Sequence, residues 1–315
     1  MPTVYDFERP ISELETKIEE LKQFSVEKGL DLKQEIEVLA ERAAALKKDI
    51  YGDLSPWQKV LIARHPDRLG SRDYIERFCS EYIELHGDRA FGDDPAVIGV
   101  IGRMNGYVVT VVGHQKGRDT KENLARNFGM VHPEGCRKVL RMARQAEKFR
   151  RPLICLLDTP GAHCGIGAEE RGQAEAIARN LAALSTLRVP VVVVVIGEGG
   201  SGGALALGVG DRLLMQEHAV FSVSSPEACA SILWKDAGRA REAAEVLKMT
   251  AQDLLSLGVI DEIVPEPLGG VHRDPAQAAE MLRESLFRNL DELCRMDLEQ
   301  LLRARYHKYR TIGNL

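Results

Sequence analysis

No stretch of the chain reaches the roughly 18 consecutive apolar residues that a helix needs to cross a bilayer. The opening Met1-Pro2-Thr3-Val4-Tyr5-Asp6 also lacks a basic-then-apolar targeting pattern. A cytoplasmic location without a membrane partner is expected. Surplus positive charge is missing too: 42 Lys and Arg against 47 Asp and Glu leave a formal net charge of −5. Nucleic acids and membrane surfaces reward broad positive fields, so neither is expected as a partner, and any basic site must be local. Cysteines are few and scattered at positions 79, 136, 155, 164, 229 and 294, with no C-x-x-C pair and no His neighbours at zinc spacing. Neither a disulfide framework nor a metal site on this chain is indicated, and free thiols in a reducing compartment are expected.

What the chain does hold is the mixture of an ordinary globular protein, 44% hydrophobic and 28% charged over 315 residues. That length suits one α/β core with helical appendages. Ile11, Leu14, Ile18 and Leu21 recur at helical spacing, as do Leu32, Ile36, Leu39, Ala43, Leu46 and Ile50. Ser12 with Glu15 and Asp31 with Gln34 read as capping boxes, and Gly29 breaks the chain between them, so an N-terminal helical hairpin is predicted. Its apolar stripe fits either this chain's own core or a partner subunit.

Ser55-Pro56-Trp57-Gln58 caps a further short helix, and Ser71 opens one carrying Ile75, Phe78, Cys79 and Tyr82 as far as His86-Gly87. Strands 96–102 and 107–112 flank Asn105-Gly106, a strong hairpin signal. Helix and apolar strand then alternate: a helix from Pro133, the strand Leu153 to Leu157, a helix through Ala174 to Leu184, and the strand Val191 to Ile196. Short strands at 213–215, 220–223 and 259–264 and a helix from Pro226 complete the core, and the tail from Asp274-Pro275 reads as capped helix, expected to be peripheral. Ligands of such parallel sheets bind beyond the carboxyl ends of the strands, which directs attention to the loops after Leu157 and Ile196.

The first of these is Asp158-Thr159-Pro160-Gly161-Ala162, a forced tight turn, and the second is Gly197-Glu198-Gly199-Gly200-Ser201-Gly202-Gly203-Ala204. So many glycines let the backbone approach a ligand and aim successive N–H groups at an anion where a helix begins. Gly197, Gly199 and Gly202 also match a dinucleotide fingerprint, but a β-α unit precedes this strand and the segment to Gly208 leaves little room for a crossover helix. A tight strand-to-helix junction alone is a further reading.

Asp158-Thr159-Pro160-Gly161, the run from Gly167 to Asn180 and Gly197 to Ala204 together resemble the carboxyltransferase alpha-subunit family of bacterial acetyl-CoA carboxylase. So do Gly113-His114-Gln115-Lys116-Gly117-Arg118, Asn127-Phe128-Gly129-Met130, Ser225-Pro226-Glu227 and Pro265 to Gly270, and the likeness runs from about Phe7 to the C-terminal helices. The resemblance implies a crotonase-like α/β fold of repeated β-β-α units. It divides the chain into an N-terminal helical extension (1–70), a carboxyltransferase core (71–268) and a C-terminal helical segment (269–315).

The implied reaction moves a carboxyl group from carboxybiotin, carried on the biotin carboxyl carrier protein and loaded by biotin carboxylase, to acetyl-CoA. It yields malonyl-CoA, the first committed step of fatty acid biosynthesis. The implied assembly is an α2β2 heterotetramer in which the beta subunit holds the zinc and much of the acetyl-CoA site. By the same resemblance the backbone amides of Gly202 and Gly203 face carboxybiotin, and Gly161, Ala162, His163, Gly199, Gly200 and Ser201 line the substrate. Lys116 and Arg118, in a local basic cluster with Lys121 and Arg126, suit phosphate or carboxylate contact, or a solvated loop.

Loss of carbon dioxide leaves negative charge on the ureido oxygen of biotin, and preorganised N–H donors stabilise it without a protein acid or base. This agrees with the lack of a Ser, His and Asp constellation; Ser201 invites comparison with a Clp-type peptidase but has no evident His partner, which favours a role in loop geometry. Glu169, Glu170 and Arg171 read as helix-terminal charges and a salt-bridging partner. After Pro160-Gly161-Ala162 the family usually carries an aromatic residue, whereas this chain has His163-Cys164, so a group that titrates near neutrality stands at the expected biotin site. An acyl-CoA hydratase or decarboxylase working alone, and a non-catalytic scaffold subunit, are the alternative functions.

Overall fold

A computed structural model describes residues 4–313. Met1, Pro2, Thr3, Asn314 and Leu315 lie outside the described residues, and with them the first part of the targeting-pattern reading. The hairpin forms as helices α1 (Arg9–Lys28) and α2 (Lys33–Gly52), with Gly29 closing α1 at φ 62. The caps differ from expectation: Pro10 takes the first turn of α1, so Ser12 is already helical, and Leu32 precedes α2 without a side-chain cap. Pro fits there because the first-turn N–H groups have no helical acceptor. Of these two helices only Ile11, Ala43 and Tyr51 are fully buried.

Helices α3 (Pro56–Ala63), closed by the Ser55 and Gln58 capping box, and α4 (Ser71–Phe78) follow. Contrary to the reading of one helix up to His86, the chain leaves α4 at Cys79 and Tyr82 lies in an edge strand, β1 (Glu81–Glu84). β1 pairs antiparallel with β2 (Val97–Met104), which turns through Asn105 (φ 46) and Gly106 (φ 81) into β3 (Tyr107–His114). Two positive φ values in a two-residue loop match the strand twist, as the Asn-Gly pair predicts.

The parallel part comprises β4 (Leu153–Thr159), β5 (Val191–Gly200), β6 (Arg212–Gln216), β7 (Val220–Ser222) and β8 (Glu262–Val264). One sheet results, ordered β1-β2-β3-β4-β5-β6-β8, with β7 paired to the far end of β5. The last predicted strand is shorter than expected, because 259–261 are bent and irregular and pairing begins only at Glu262.

Between and after the strands lie α5 (Thr120–Ala125), α6 (Pro133–Lys148), α7 (Ile166–Glu170), α8 (Gln173–Thr186) and α9 (Ser201–Leu205). α10 (Pro226–Trp234), α11 (Ala240–Val246), α12 (Ala251–Ser256), α13 (Pro275–Arg295) and α14 (Leu298–Thr311) complete the fold. The five residues of α9 agree with the absence of a crossover helix there.

Both faces of the sheet are covered, which is why β4 is apolar from Leu153 to Leu157 and β5 from Val191 to Ile196 rather than alternating. Cys155, Leu157, Val193 and Val195 pack with Val139, Met142 and Ala143 of α6 on one face. Ile154, Leu156, Val192, Val194 and Ile196 pack with Tyr74 and Ile75 of α4 and Leu282, Leu286 and Leu290 of α13 on the other. The tail is therefore no peripheral appendage. Its last helix also sends Arg305, 1% exposed, into the core, where it forks onto Asp211 (2.7 and 2.8 Å) and donates to the carbonyls of Leu184, Leu187 and Val189. Among the described residues no helix is long and apolar enough to cross a membrane.

Candidate functional site

β4 and β5 run in parallel register from Leu153↔Val191 to Thr159↔Gly199, so the two suspected loops leave the sheet side by side. Close approach explains the glycines. A Cβ on Gly200 would stand 2.1 Å from the Pro160 carbonyl oxygen, and one on Gly203 would stand 2.4 Å from the Gly161 carbonyl carbon and 2.6 Å from Ala162 N. Only a bare backbone lets the second loop lie on the first. Ser201, at φ 51, makes the sharp turn from β5 into α9 in the left-handed region, a conformation costly for a residue with a side chain. Its hydroxyl is exposed and has no imidazole partner among the described residues.

Gly202 and Gly203 fall in the first turn of α9, where N–H groups lack helical acceptors. Among the described residues neither N–H makes a hydrogen bond to a loop, turn or neighbouring element. The first loop, by contrast, uses its donors internally. The Thr159 hydroxyl accepts from Gly161 N (3.1 Å) and lies 2.6 Å from Gly129 O, Ala162 forms a parallel bridge with Val131, and His163 N donates to Val131 O (3.0 Å). Gly161, Ala162 and His163 thus form a wall, with the His163 ring turned against His132 at 4.3 Å between centroids.

Beneath the loops lies a cluster of charges that sequence reasoning did not assemble. Lys116, just beyond β3, sets its ammonium 2.7 Å from Asp158 Oδ1 and 2.8 Å from Glu198 Oε2. Glu198 also receives Arg64 at 2.6 Å, and Arg64 reaches Glu227 at 2.6 Å. Asp158 Oδ1 accepts Glu198 N–H (3.0 Å), and Gly197 must be glycine because a Cβ would meet that oxygen at 2.4 Å.

Burial would lower the Lys116 pKa, but Asp158 and Glu198 outweigh it and raise it above the ordinary lysine value. Burial would raise Glu198, but Lys116 and Arg64 outweigh it and hold its carboxyl at about 2. Lys116 is therefore engaged by two carboxylates, while the more exposed Arg118 pairs with Asp73. Arg126 donates to Pro95 O, and Arg171 pairs with Glu134 at 2.8 Å, as its salt-bridging reading anticipated.

His114, at the end of β3, is fully buried, and its Nδ1 accepts Asp158 N–H at 3.4 Å. Burial pushes its pKa down to about 3, opposed in part by the main chain of Gly203, so the ring is neutral. The available signal for these residues was position: His114, Asp158 and Glu198 all stand at the carboxyl ends of adjacent strands.

Two cavities flank the glycine bend. One of about 370 Å³, lined by Ser201, Gly202, Leu205, Phe221, Val223 and Leu257, is mostly apolar. The other, about 320 Å³, lies across Pro160 and is lined by Arg64, Lys116, Arg118, Asp158 and Glu198 among others. Among the described residues no three His, Cys, Asp or Glu side chains are grouped to hold a metal. The arrangement sets Gly202 in the wall of an apolar cavity, with the buried Gly203 next to it, on a base stiffened by ion pairs.

Residues 4–313 match the family described as acetyl co-enzyme A carboxylase carboxyltransferase-like. The chain is 57% identical over 311 residues to the acetyl-coenzyme A carboxylase carboxyl transferase subunit alpha of Carboxydothermus hydrogenoformans, covering 99% of this chain and 96% of that one. With the same subunit of Heliobacterium modesticaldum it shares 58% over 308 residues, covering 98% and 92%. Among solved structures it resembles the transcarboxylase 12S core, with a TM-score of 0.60 at 20% identity over 78% of this chain and 46% of that one. It also resembles the Pseudomonas malonate decarboxylase MdcD-MdcE heterodimer, with 0.57 at 17% over 74% and 89%. At such identities the structural likeness speaks for the crotonase-like fold.

Proposed function

This chain belongs to the acetyl-CoA carboxylase carboxyltransferase family as an alpha-type subunit, and from that premise we propose how its residues serve the transfer of a carboxyl group from carboxybiotin to acetyl-CoA to give malonyl-CoA. The observation that carries the proposal is Gly202 in the wall of an apolar cavity, with the buried Gly203 next to it, both in the first turn of α9 where N–H groups lack helical acceptors.

Fixed donors at a helix start suit an oxygen on which negative charge develops, and they need no reorganisation when it does. The apolar cavity suits the uncharged rings and aliphatic arm of biotin, with Phe221 and Leu257 as walls. Carboxybiotin bound there would supply the carboxyl group, with its ureido oxygen held by Gly202 and Gly203. The rest falls to the chain: Gly202 and Gly203 donate, the Gly161 to His163 wall holds Gly203 in place, and Lys116, Asp158 and Glu198 keep the two strand ends in register. Glu198, ionised and engaged by two cations, is unsuited to moving a proton, in keeping with a reaction that asks no protein base.

Acetyl-CoA and the zinc belong, in this reading, to a beta subunit, within an α2β2 assembly served by the biotin carboxyl carrier protein and biotin carboxylase. Support for a partner on this side is the apolar rim of exposed Leu205, Val223 and Leu257, more than an isolated chain has reason to show at one cavity. The domain division at 70/71 and 268/269 is retained as part of the proposal, with α13 packed as an integral layer of the core.

The test is co-expression with the beta subunit and assay of biotin-dependent decarboxylation of malonyl-CoA, the reverse direction. Turnover that requires both chains and biotin is expected. Turnover of an acyl-CoA by this chain alone would overturn the assignment.

A further inference from the structure

We propose that His132, a residue outside the loops that bear the site, is a positioning residue that holds the Gly161 to His163 wall against Gly203 through ring contact with His163, and that it does so only while its own ring is neutral. The inference rests on the reading of the site given above.

The chain of contacts is continuous. The two imidazoles lie 4.3 Å apart between centroids, tilted by 44°. Each has a buried Nδ1 with no hydrogen-bond partner among the described residues, so neither ring is fastened by a side-chain hydrogen bond at that nitrogen. Contact between the rings helps align them, and the His163 ring also packs on Gly165, where a Cβ would stand 2.5 Å from its Nε2. One residue back on each side, Val131 bridges Ala162, and His163 N–H donates to Val131 O at 3.0 Å. Ala162 N and Gly161 C are the atoms that a Cβ on Gly203 would strike. Displacing the rings therefore loosens the bridge on which the second proposed donor leans.

The surroundings oppose a positive charge on His132. His132 is the N-cap of α6, so its ring stands at the positive end of that helix dipole. Arg171, reaching from the end of α7, adds a cation, and only Glu134, already paired with Arg137 and Arg171, pulls the other way. Behind the helix start, Asp94 accepts His132 N–H at 2.8 Å, Lys138 lies near Asp94, and Cys164 beside His163 is exposed.

Burial first, then His163, lowers the His132 pKa below 6.5. A lowered histidine pKa means that the contact contributes fully above pH 6.5 and is lost as pH falls through the folded value. Asp94 has the opposite sign: burial raises it to about 6, so its contribution grows on acidification. The two groups are thereby separable.

The experiment has two arms. In the assembled enzyme, kcat and KM for free biotin in malonyl-CoA decarboxylation are measured against pH for the wild type, His132→Phe, which keeps an aromatic contact but cannot titrate, and Asp94→Asn. In the full chain without substrate, hydrogen exchange of 159–163, corrected for intrinsic rates, is followed over the same range. Expected is a KM for biotin that rises on acidification by up to about tenfold per pH unit, the slope of one protonation. Loss of protection at Ala162 and His163 should run in parallel, and both effects should persist in Asp94→Asn and vanish in His132→Phe.

An acid limb retained in His132→Phe, or protection independent of pH, would overturn the proposal. Absence of turnover at every pH would instead count against the reading of the site, and the exchange arm would still decide the role of His132.

Discussion

Gly203 lies so close to Gly161 that a Cβ built on it would stand 2.4 Å from the Gly161 carbonyl carbon. The obstacle is backbone, not the end of a flexible side chain, so Gly203→Ala has to separate the loops. Such overpacking costs about 1–3 kcal/mol. A thermal melt should show a drop in Tm of about 2–4 °C per kcal/mol, and biotin-dependent turnover should fall in the fraction that remains folded.

Gly202 is the cleaner position for removing a donor. A Cβ there meets only the Ile177 Cδ1 end at 3.3 Å, and proline is tolerated in the first turn of a helix. Gly202→Pro deletes the N–H, whereas Gly202→Ala keeps it. Loss of one preorganised donor lowers kcat by about 10²–10³, so steady-state assays should show that loss in the proline variant and near-normal kcat in the alanine variant. Equal kcat in the two would remove this N–H from the mechanism.

Replacing Lys116 by Met leaves Asp158 and Glu198 facing each other with Arg64 as the remaining cation. Removing one partner of a fully buried ion pair costs about 3–5 kcal/mol, and a smaller loss is expected here because the Lys116 side chain is 23% exposed. The pH dependence follows from Glu198, whose carboxyl is held at about 2 against an ordinary 4.5. Its depressed pKa contributes stability that is present above pH 4.5 and lost as pH falls through about 2. Urea unfolding across this window should show the wild type losing stability on acidification and Lys116→Met, already weaker, losing less.

Arg305 should be among the most sensitive positions in the C-terminal segment. Its guanidinium serves Asp211 and three carbonyls from a site 1% exposed. Arg305→Met strands the Asp211 charge and should cost about 3–5 kcal/mol, measured by chemical denaturation. Arg305→Lys should recover only part of it, since an ammonium cannot reproduce the planar fork.

The strands were legible because local forces specify them. β-branched runs at 191–196, apolar 153–157 and Asn105-Gly106 leave few alternatives to a buried parallel strand or a tight hairpin. Where one helix was read from Ser71 to Gly87, the failure is also physical: Tyr82 continues a helical spacing, yet Glu81 to Glu84 find open hydrogen-bonding groups on β2, and pairing with them wins. The tail was read as peripheral because an amphipathic stripe does not state what it packs against; α13 covers one face of the sheet together with α4.

The two loops of the site could be named from sequence since glycine density and strand ends are local signals. Lys116 was recognised as a charge but not as an internal one. Its partners lie 42 and 82 positions along the chain, and only the parallel register of β3, β4 and β5 brings them together.

The order of residues alone determined the alternation of helix and apolar strand, the glycine bend after β5 and, through resemblance, the family, because each is a matter of propensity, periodicity or motif along a continuous stretch. Tertiary structure decided which donors are consumed between loops and which are not. Gly161 and His163 use theirs within the wall, while among the described residues those of Gly202 and Gly203 make no hydrogen bond to a loop, turn or neighbouring element. The reason is that a hydrogen bond is satisfied by whatever atom lies within about 3 Å, and nearness between distant segments is settled by packing, not by order along the chain.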